Sequence, residues 1–159
     1  MIIDKKLGLT CSHSTFSVLV ILIKSLPTNT LVTSPVLKSS SASLCFFDSS
    51  LLLNSNVPVK GIAHITGGGL LENIPRILPD GLGVTIKKKS WPYLPVFSCI
   101  QSIGEIEQKE MFRTFNMGIG MVFVFDKEHA KVAKTALEKH SRVYEIGHVQ
   151  AGNKTVLLK

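Results

Sequence analysis

The stretch GIAHITGGGLLENIPRILPDG, residues 61 to 81, constrains the fold of this chain more than any other part of it. Three consecutive glycines, Gly67 to Gly69, stand between a short apolar run and a helix-compatible pattern. Glycine loses more conformational freedom on ordering than any other residue, so an ordered triplet implies that backbone must approach something closely. Two readings fit. The N–H groups of a glycine turn that leads into a helix point outward and, with the helix dipole, suit an anion such as phosphate, which makes Thr66, Gly67, Gly68 and Gly69 candidate ligand-binding residues. Equally, the turn is a tight strand-to-helix connection where side chains would clash. It is neither a Walker A loop, since no Lys-Ser or Lys-Thr follows, nor the GxGxxG dinucleotide fingerprint. His64, at the strand end two residues before the loop, is placed either to hydrogen-bond a substrate oxygen or to serve the structure.

Around this stretch the elements follow from pattern. Val59 to Ile65 reads as a strand closed by the glycines, Leu70 to Leu78 as a helical segment, and Pro79-Asp80-Gly81 as a turn before a strand at Leu82 to Ile86. Pro92 and Pro95 break the chain around Trp91; Val96 to Ile103 predicts a helix ending at Gly104, and Glu107 to Phe112 a short one. Met117 to Phe125 predicts a largely buried strand with close backbone contacts at Gly118 and Gly120. Asn116, at its start, either binds ligand or caps a turn, and Arg76 and Arg113 are available to phosphate oxygens or to surface salt bridges. Asp126 is a good N-cap for a helix to about His140, with Ala130, Val132, Ala133, Ala136 and Leu137 on its apolar face. Strands at Val143 to Val149 and Thr155 to Leu158, separated by Ala151-Gly152-Asn153, predict a hairpin. Alternating helices and strands predict an α/β (α+β) layered domain, a mixed sheet packed with helices.

Before Val57 the character differs. Ser25 to Asn56 is dominated by Ser, Thr and Leu, has Lys38 and Asp48 as its only charged side chains, and shows no sustained period. Residues 1–56 therefore read as a degraded or atypical segment and residues 57–159 as the domain. Phe16 to Ile23 (FSVLVILI) is too short to span a bilayer, and no small-residue cleavage site makes it a signal segment, so no membrane partner is expected. The excess of 18 Lys and Arg over 11 Asp and Glu is scattered; Lys87 to Lys89 is the one run of three and reads as a solvated turn. Without zinc-finger, basic-zipper or aromatic RNA-binding signatures, no nucleic-acid partner is expected. Cys11, Cys45 and Cys99 are too far apart for a metal or redox motif, so a reducing compartment, the cytoplasm, and no metal site are expected.

Several strings together carry a resemblance. VKGIAHITGGGLLENIPRILPDG, then SWP at Ser90 to Pro92, EMFRTFNMGIGMVFV at Glu110 to Val124 and YEIGHV at Tyr144 to Val149 resemble the carboxy-terminal part of the phosphoribosylformylglycinamidine cyclo-ligase (AIR synthetase) family, from Val57 to the end. The resemblance implies kinship with formylglycinamide ribonucleotide amidotransferase and selenophosphate synthetase. It also implies a reaction of purine biosynthesis: ATP activates the amide oxygen of formylglycinamidine ribonucleotide, and an internal nitrogen displaces phosphate to close the imidazole ring. By this likeness His64, as the catalytic residue, and Thr66, Gly67, Gly68 and Gly69, as substrate-binding residues, lie at the active-site cleft, and Asn116 is a further substrate-binding candidate.

Departures from the family pattern carry expectations too. Leu7 to Val20 (LGLTCSHSTFSVLV) resembles in part a GLxSSGxHSNGFSLV motif, keeping His13-Ser14 and Phe16-Ser17 without the intervening Asn-Gly. A PTRIYVK-like motif is absent from Ser25 to Asn56. ATP and Mg2+ in this family are held mainly by an amino-terminal domain that these residues do not resemble, and phosphoryl transfer needs carboxylates around magnesium. The expectation is that this chain alone does not cyclise substrate. Catalysis then requires a separate amino-terminal half or a homodimer partner; the alternative is a non-catalytic fragment that binds a ribose phosphate or a partner chain.

Overall fold

The computed structural model describes residues 57–139 and 141–159, together with the backbone of a strand at Ser17–Ile23. That strand, β1, is followed by β2 (Val59–His64), α1 (Gly69–Asn73) with a 3-10 turn (Ile74–Ile77), and β3 (Leu82–Ile86). Then come α2 (Pro95–Ile103), α3 (Gln108–Thr114), β4 (Met121–Asp126), α4 (Lys127–Glu138), β5 (Arg142–Ala151) and β6 (Val156–Leu158). The strands form one six-stranded mixed sheet in the order β2-β4-β1-β5-β3-β6, so the expected mixed sheet with helices packed on it is what the chain forms.

Connection length decides how the middle of the sheet is built. β4 and β5 each run antiparallel to β1, which lies between them, and are therefore parallel to each other. Parallel strands cannot be joined by a tight turn, and α4 supplies the crossover. Ala130, Ala133 and Leu137, spaced three and four apart, bury one face of α4 against Met121, Phe123, Phe125, Val143 and Val59. Val132, expected on that face, is 58% exposed: it sits one residue off the stripe, where the period of 3.6 turns it outward. Asp126 occupies the N-cap position, but its carboxylate meets Lys60 Nζ at 3.0 Å instead of a helix N–H.

The opposite sheet face carries the larger core. Ala63, Val84, Ile86, Val122, Val124, Ile146 and Val149 pack beneath Leu70 and Ile74 of the α1 segment, Phe97 of α2, and Met111 and Phe112 of α3. Because β4 is covered on both faces, it reads as an unbroken apolar run with no alternation. It starts at Met121, later than the expected Met117, because Asn116 to Ile119 forms a turn with Met117 and Gly118 at positive φ. A register shift opposite Leu19 and Val20 leaves Ile146 as an extra residue in β5, which changes the side-chain parity. Ile146 and Val149, three apart, thereby reach the same layer.

The expected hairpin at the end of the chain does not form. β6 pairs with β3, in parallel, and β3 separates it from β5. The connection from Gly152 to Thr155 crosses the start of β3, held by Gly152 N–H to Gly81 O (2.9 Å), Lys154 N–H to Leu82 O (2.7 Å) and Val84 N–H to Thr155 O (2.8 Å). Gly83 and Gly152 make the crossing feasible: a Cβ on Gly152 would stand 3.1 Å from the Gly83 backbone.

Candidate functional site

Two connections meet at one end of the sheet. β2 and β4 are antiparallel neighbours with His64 opposite Met121, so the segment leaving β2 and the turn entering β4 lie side by side. Ile65 N–H donates to Gly120 O at 2.9 Å and ties them together. The helix α3 closes the third side, since its last turn packs directly on Gly69. The structure thus brings all six sequence-predicted residues to one end of the sheet: His64 at the end of β2, Thr66, Gly67 and Gly68 in the connection, Gly69 at the start of α1, and Asn116 in the adjoining turn.

The three glycines serve different ends. Gly69 is buried, has φ +53°, and a Cβ there would stand 2.1 Å from Phe112 O and 2.7 Å from Phe115 O; its N–H is held by Thr66 O at 3.0 Å. Close packing of α1 on α3 accounts for it fully. Gly68 has φ +95°, a left-handed conformation in which a side chain is strained. Gly67 is exposed, and nothing lies within 4 Å of where its Cβ would be. Neither Gly67 N–H nor Gly68 N–H has a protein acceptor among the described residues.

Side chains surround this loop unevenly. His64 and Thr66 are exposed, beside the two open N–H groups. Asn116 is half-buried and caps its own turn: Oδ1 accepts from Gly118 N–H at 3.0 Å, and its carbonyl accepts from Ile119 N–H at 2.9 Å. Beneath that turn the Trp91 indole Nε1–H donates to Met117 O at 3.0 Å, which fixes a carbonyl whose residue sits at φ +52°. Trp91 in turn stacks edge-on with Tyr93 and Phe112 at centroid distances of 5.3 and 6.1 Å. Burial pushes the Tyr93 hydroxyl up to about 12, and that hydroxyl donates to Lys88 O.

Charge beside the loop is paired. Glu72 Oε1 receives Arg113 Nε at 2.9 Å, and Arg113 Nη1 also lies 3.7 Å from Glu110. The Glu72 hydrogen bond and the Glu110 charge hold the Arg113 guanidinium above its ordinary pKa. Arg113, expected as a phosphate partner, is thus committed to carboxylates, because α1 and α3 pack closely enough for the pair to form; Arg76 is exposed on the 3-10 turn. The lysine run is the turn after β3, with Ser90 N–H donating to Lys87 O at 3.1 Å. Among the described residues no group of three or more His, Cys, Asp or Glu side chains is placed to hold a metal ion, and no helix is long and apolar enough to cross a membrane.

Sequence reasoning missed two site residues, Asn73 and Trp91. Asn73 is buried, and its Nδ2 reaches Gly69 O at 2.8 Å, Gly67 O at 3.2 Å and Thr66 O at 3.4 Å. The signal was an amide three residues after Leu70 and next to Ile74, on the apolar side of the segment, while the adjacent Glu72 is exposed.

Phosphoribosylformylglycinamidine cyclo-ligases of Bacillus mycoides (strain KBAB4) and Bacillus cytotoxicus are 49% and 52% identical to this chain over 96 residues, each match covering 60% of this chain and 28% of the relative. The cyclo-ligase of Caldanaerobacter subterraneus subsp. tengcongensis is 50% identical over 101 residues, 63% of this chain and 30% of its own. The chain therefore spans less than a third of the length of the curated relatives it matches. Among solved structures, E. coli HypE, a hydrogenase maturation protein, superposes with a TM-score of 0.59 at 17% identity, over 91% of this chain and 46% of that one, a likeness of fold alone. The family described as AIR synthase related protein, C-terminal domain, matches residues 39–159, most of the chain, and the chain belongs to that family.

Proposed function

We propose that the chain is the carboxy-terminal part of a phosphoribosylformylglycinamidine cyclo-ligase, and that the joined loops at the ends of β2 and α3 form the substrate wall of its active site. The observation that carries this reading is an identity near 50% to proteins of that name over about 100 residues. The geometry supports it: the strings that carry the likeness, IAHITGGG and RTFNMGIGM, are far apart in sequence and adjacent in space.

In this reading the phosphate of formylglycinamidine ribonucleotide is taken by the open N–H groups of Gly67 and Gly68, with the Thr66 hydroxyl beside them. Gly69 shapes the loop from below. His64 donates to an oxygen of the substrate, and Asn116 uses its remaining amide N–H groups on the ligand side of its turn. ATP supplies the activating phosphoryl group when bound. The described residues do not form a magnesium site, since the nearby carboxylates Glu72 and Glu110 are paired with Arg113. In this reading ATP and Mg2+ are held mainly by other parts of the enzyme, on an amino-terminal half or a homodimer partner, and the reaction runs in the cytoplasm.

The test is binding without turnover. Formylglycinamidine ribonucleotide titrated into the 15N-labelled chain without ATP is expected to shift the amide resonances of Gly67 and Gly68. Added ATP is expected to yield no aminoimidazole ribonucleotide until the amino-terminal domain of a relative is supplied. Resonances of both glycines that ignore saturating substrate would sink the assignment of the site.

A further inference from the structure

We infer that Asn73 is a positioning residue for the ligand-facing segment Thr66–Gly68, a buried clamp that sets the direction of two backbone N–H groups. This rests on the reading of that segment as substrate-binding. In a trans peptide the carbonyl and the following N–H lie in one plane and point opposite ways. The carbonyl of Thr66 shares its plane with the N–H of Gly67, and that of Gly67 with the N–H of Gly68. Asn73 Nδ2 lies 3.4 Å from the first carbonyl and 3.2 Å from the second, on the inner side of the loop. Drawing both oxygens inward turns both N–H groups outward, where among the described residues no protein acceptor meets them.

A clamp is needed because the segment would otherwise not choose. Gly67 and Gly68 together have more accessible backbone states than any other pair of residues, and a peptide plane between them can flip at little steric cost. Gly69 shares the hold on the first carbonyl, its N–H donating to Thr66 O at 3.0 Å, whereas among the described residues only Asn73 reaches the second, Gly67 O, whose plane carries the Gly68 N–H. Asn73 itself cannot drift: it is 5% exposed, lies in α1, and its third contact, 2.8 Å to Gly69 O, is the shortest of the three. With two protons for three oxygens, its amide shares at least one. An aliphatic side chain would leave the part-buried Gly67 carbonyl without its side-chain donor, and an aspartate of the same shape would face the carbonyls with oxygens.

Amide NMR of the full chain tests the clamp, with ribose 5-phosphate as the probe. In the unliganded Asn73→Ala and Asn73→Asp variants the Gly67 and Gly68 resonances are expected to move or broaden while those of the sheet stay in place. Affinity for ribose 5-phosphate is expected to fall about tenfold, the effect of losing about one hydrogen bond's worth of orientation. The wild-type protein gives an independent readout if a variant fails to fold: its Asn73 side-chain NH2 protons should exchange far more slowly than those of an exposed asparagine. A folded Asn73→Ala chain with wild-type Gly67 and Gly68 resonances and wild-type affinity overturns the inference, as do rapidly exchanging Asn73 protons. Wild-type Gly67 and Gly68 amides that ignore ribose 5-phosphate overturn the substrate reading alone, and the unliganded comparison still decides the clamp.

Discussion

At the scale of the residue, one motif combines packing with exposure. Gly69→Ala places a methyl group 2.1 Å from Phe112 O in a left-handed conformation, so α1 must lift off α3. Left-handed strain and overpacking together are expected to cost about 2–5 kcal/mol. Gly67→Ala meets nothing within 4 Å and is expected to change stability by less than about 0.5 kcal/mol. Thermal unfolding of the two variants checks the division; equal losses would refute it. The sequence showed that backbone approaches something closely here, and at Gly69 that something is protein, while open space lies over Gly67. It could not say which glycine the packing needs, because three identical residues carry no mark of which one turns inward. Tyr93 provides a second check. Its folded pKa, raised to about 12 by burial, exceeds the ordinary 10, so the folded state keeps a proton that the unfolded state releases between those values. Stability from this group is whole below pH 10 and is lost as pH rises toward 12. Lysines titrate in the same range in any variant, so the contrast is the measurement: Tyr93→Phe is expected to flatten the decline of unfolding free energy between pH 10 and 12 relative to wild type.

At the scale of the element, local signals succeeded where neighbours were local. The helix on α4 and the strand at Leu82–Ile86 appear where periodicity and turn residues place them, and Pro95 opens α2 at the position where a missing N–H costs nothing. The last strand was misplaced for a physical reason. Ala151-Gly152-Asn153 does reverse the chain, but nothing in a reversal states what lies between its arms, and here β3 does. The only sequence trace of the crossing is a pair of glycines 69 positions apart, Gly83 and Gly152, whose backbones touch. Gly152→Val is therefore expected to loosen the crossing without disturbing α1 or α3. Hydrogen exchange reads this directly: the amides of Val84, Lys154 and Lys159, which bond across the crossing and along β6, should lose protection in the variant, and Ile65 and Phe115 should keep theirs. Unchanged exchange at Lys154 and Lys159 would mean that the glycine pair is incidental.

At the scale of the molecule, the division between an atypical residues 1–56 and a domain at 57–159 meets a constraint from topology. β1, Ser17–Ile23, belongs to the first span, yet its backbone pairs with β4 along Ser17–Leu22 and with β5 along Val18–Ile23. Remove it and the sheet separates into β2-β4 on one side and β5-β3-β6 on the other, joined through α4. Each half would present an unpaired apolar edge in place of a ladder, and two- or three-stranded sheets with exposed edges are marginal in water and prone to associate. The composition break at Val57 marks where charge and periodicity return, which says how a segment is solvated; strand pairing is non-local and leaves no such mark. A chain of residues 57–159 is accordingly expected to lack a cooperative thermal transition and to self-associate, while the full chain unfolds in one step. Circular dichroism melts and sedimentation of the two lengths decide this. A sharp, reversible transition in 57–159 alone would show that β4 and β5 hold together without their shared partner, and that the loops carrying His64 and Asn116 need nothing before Val57 to keep their places.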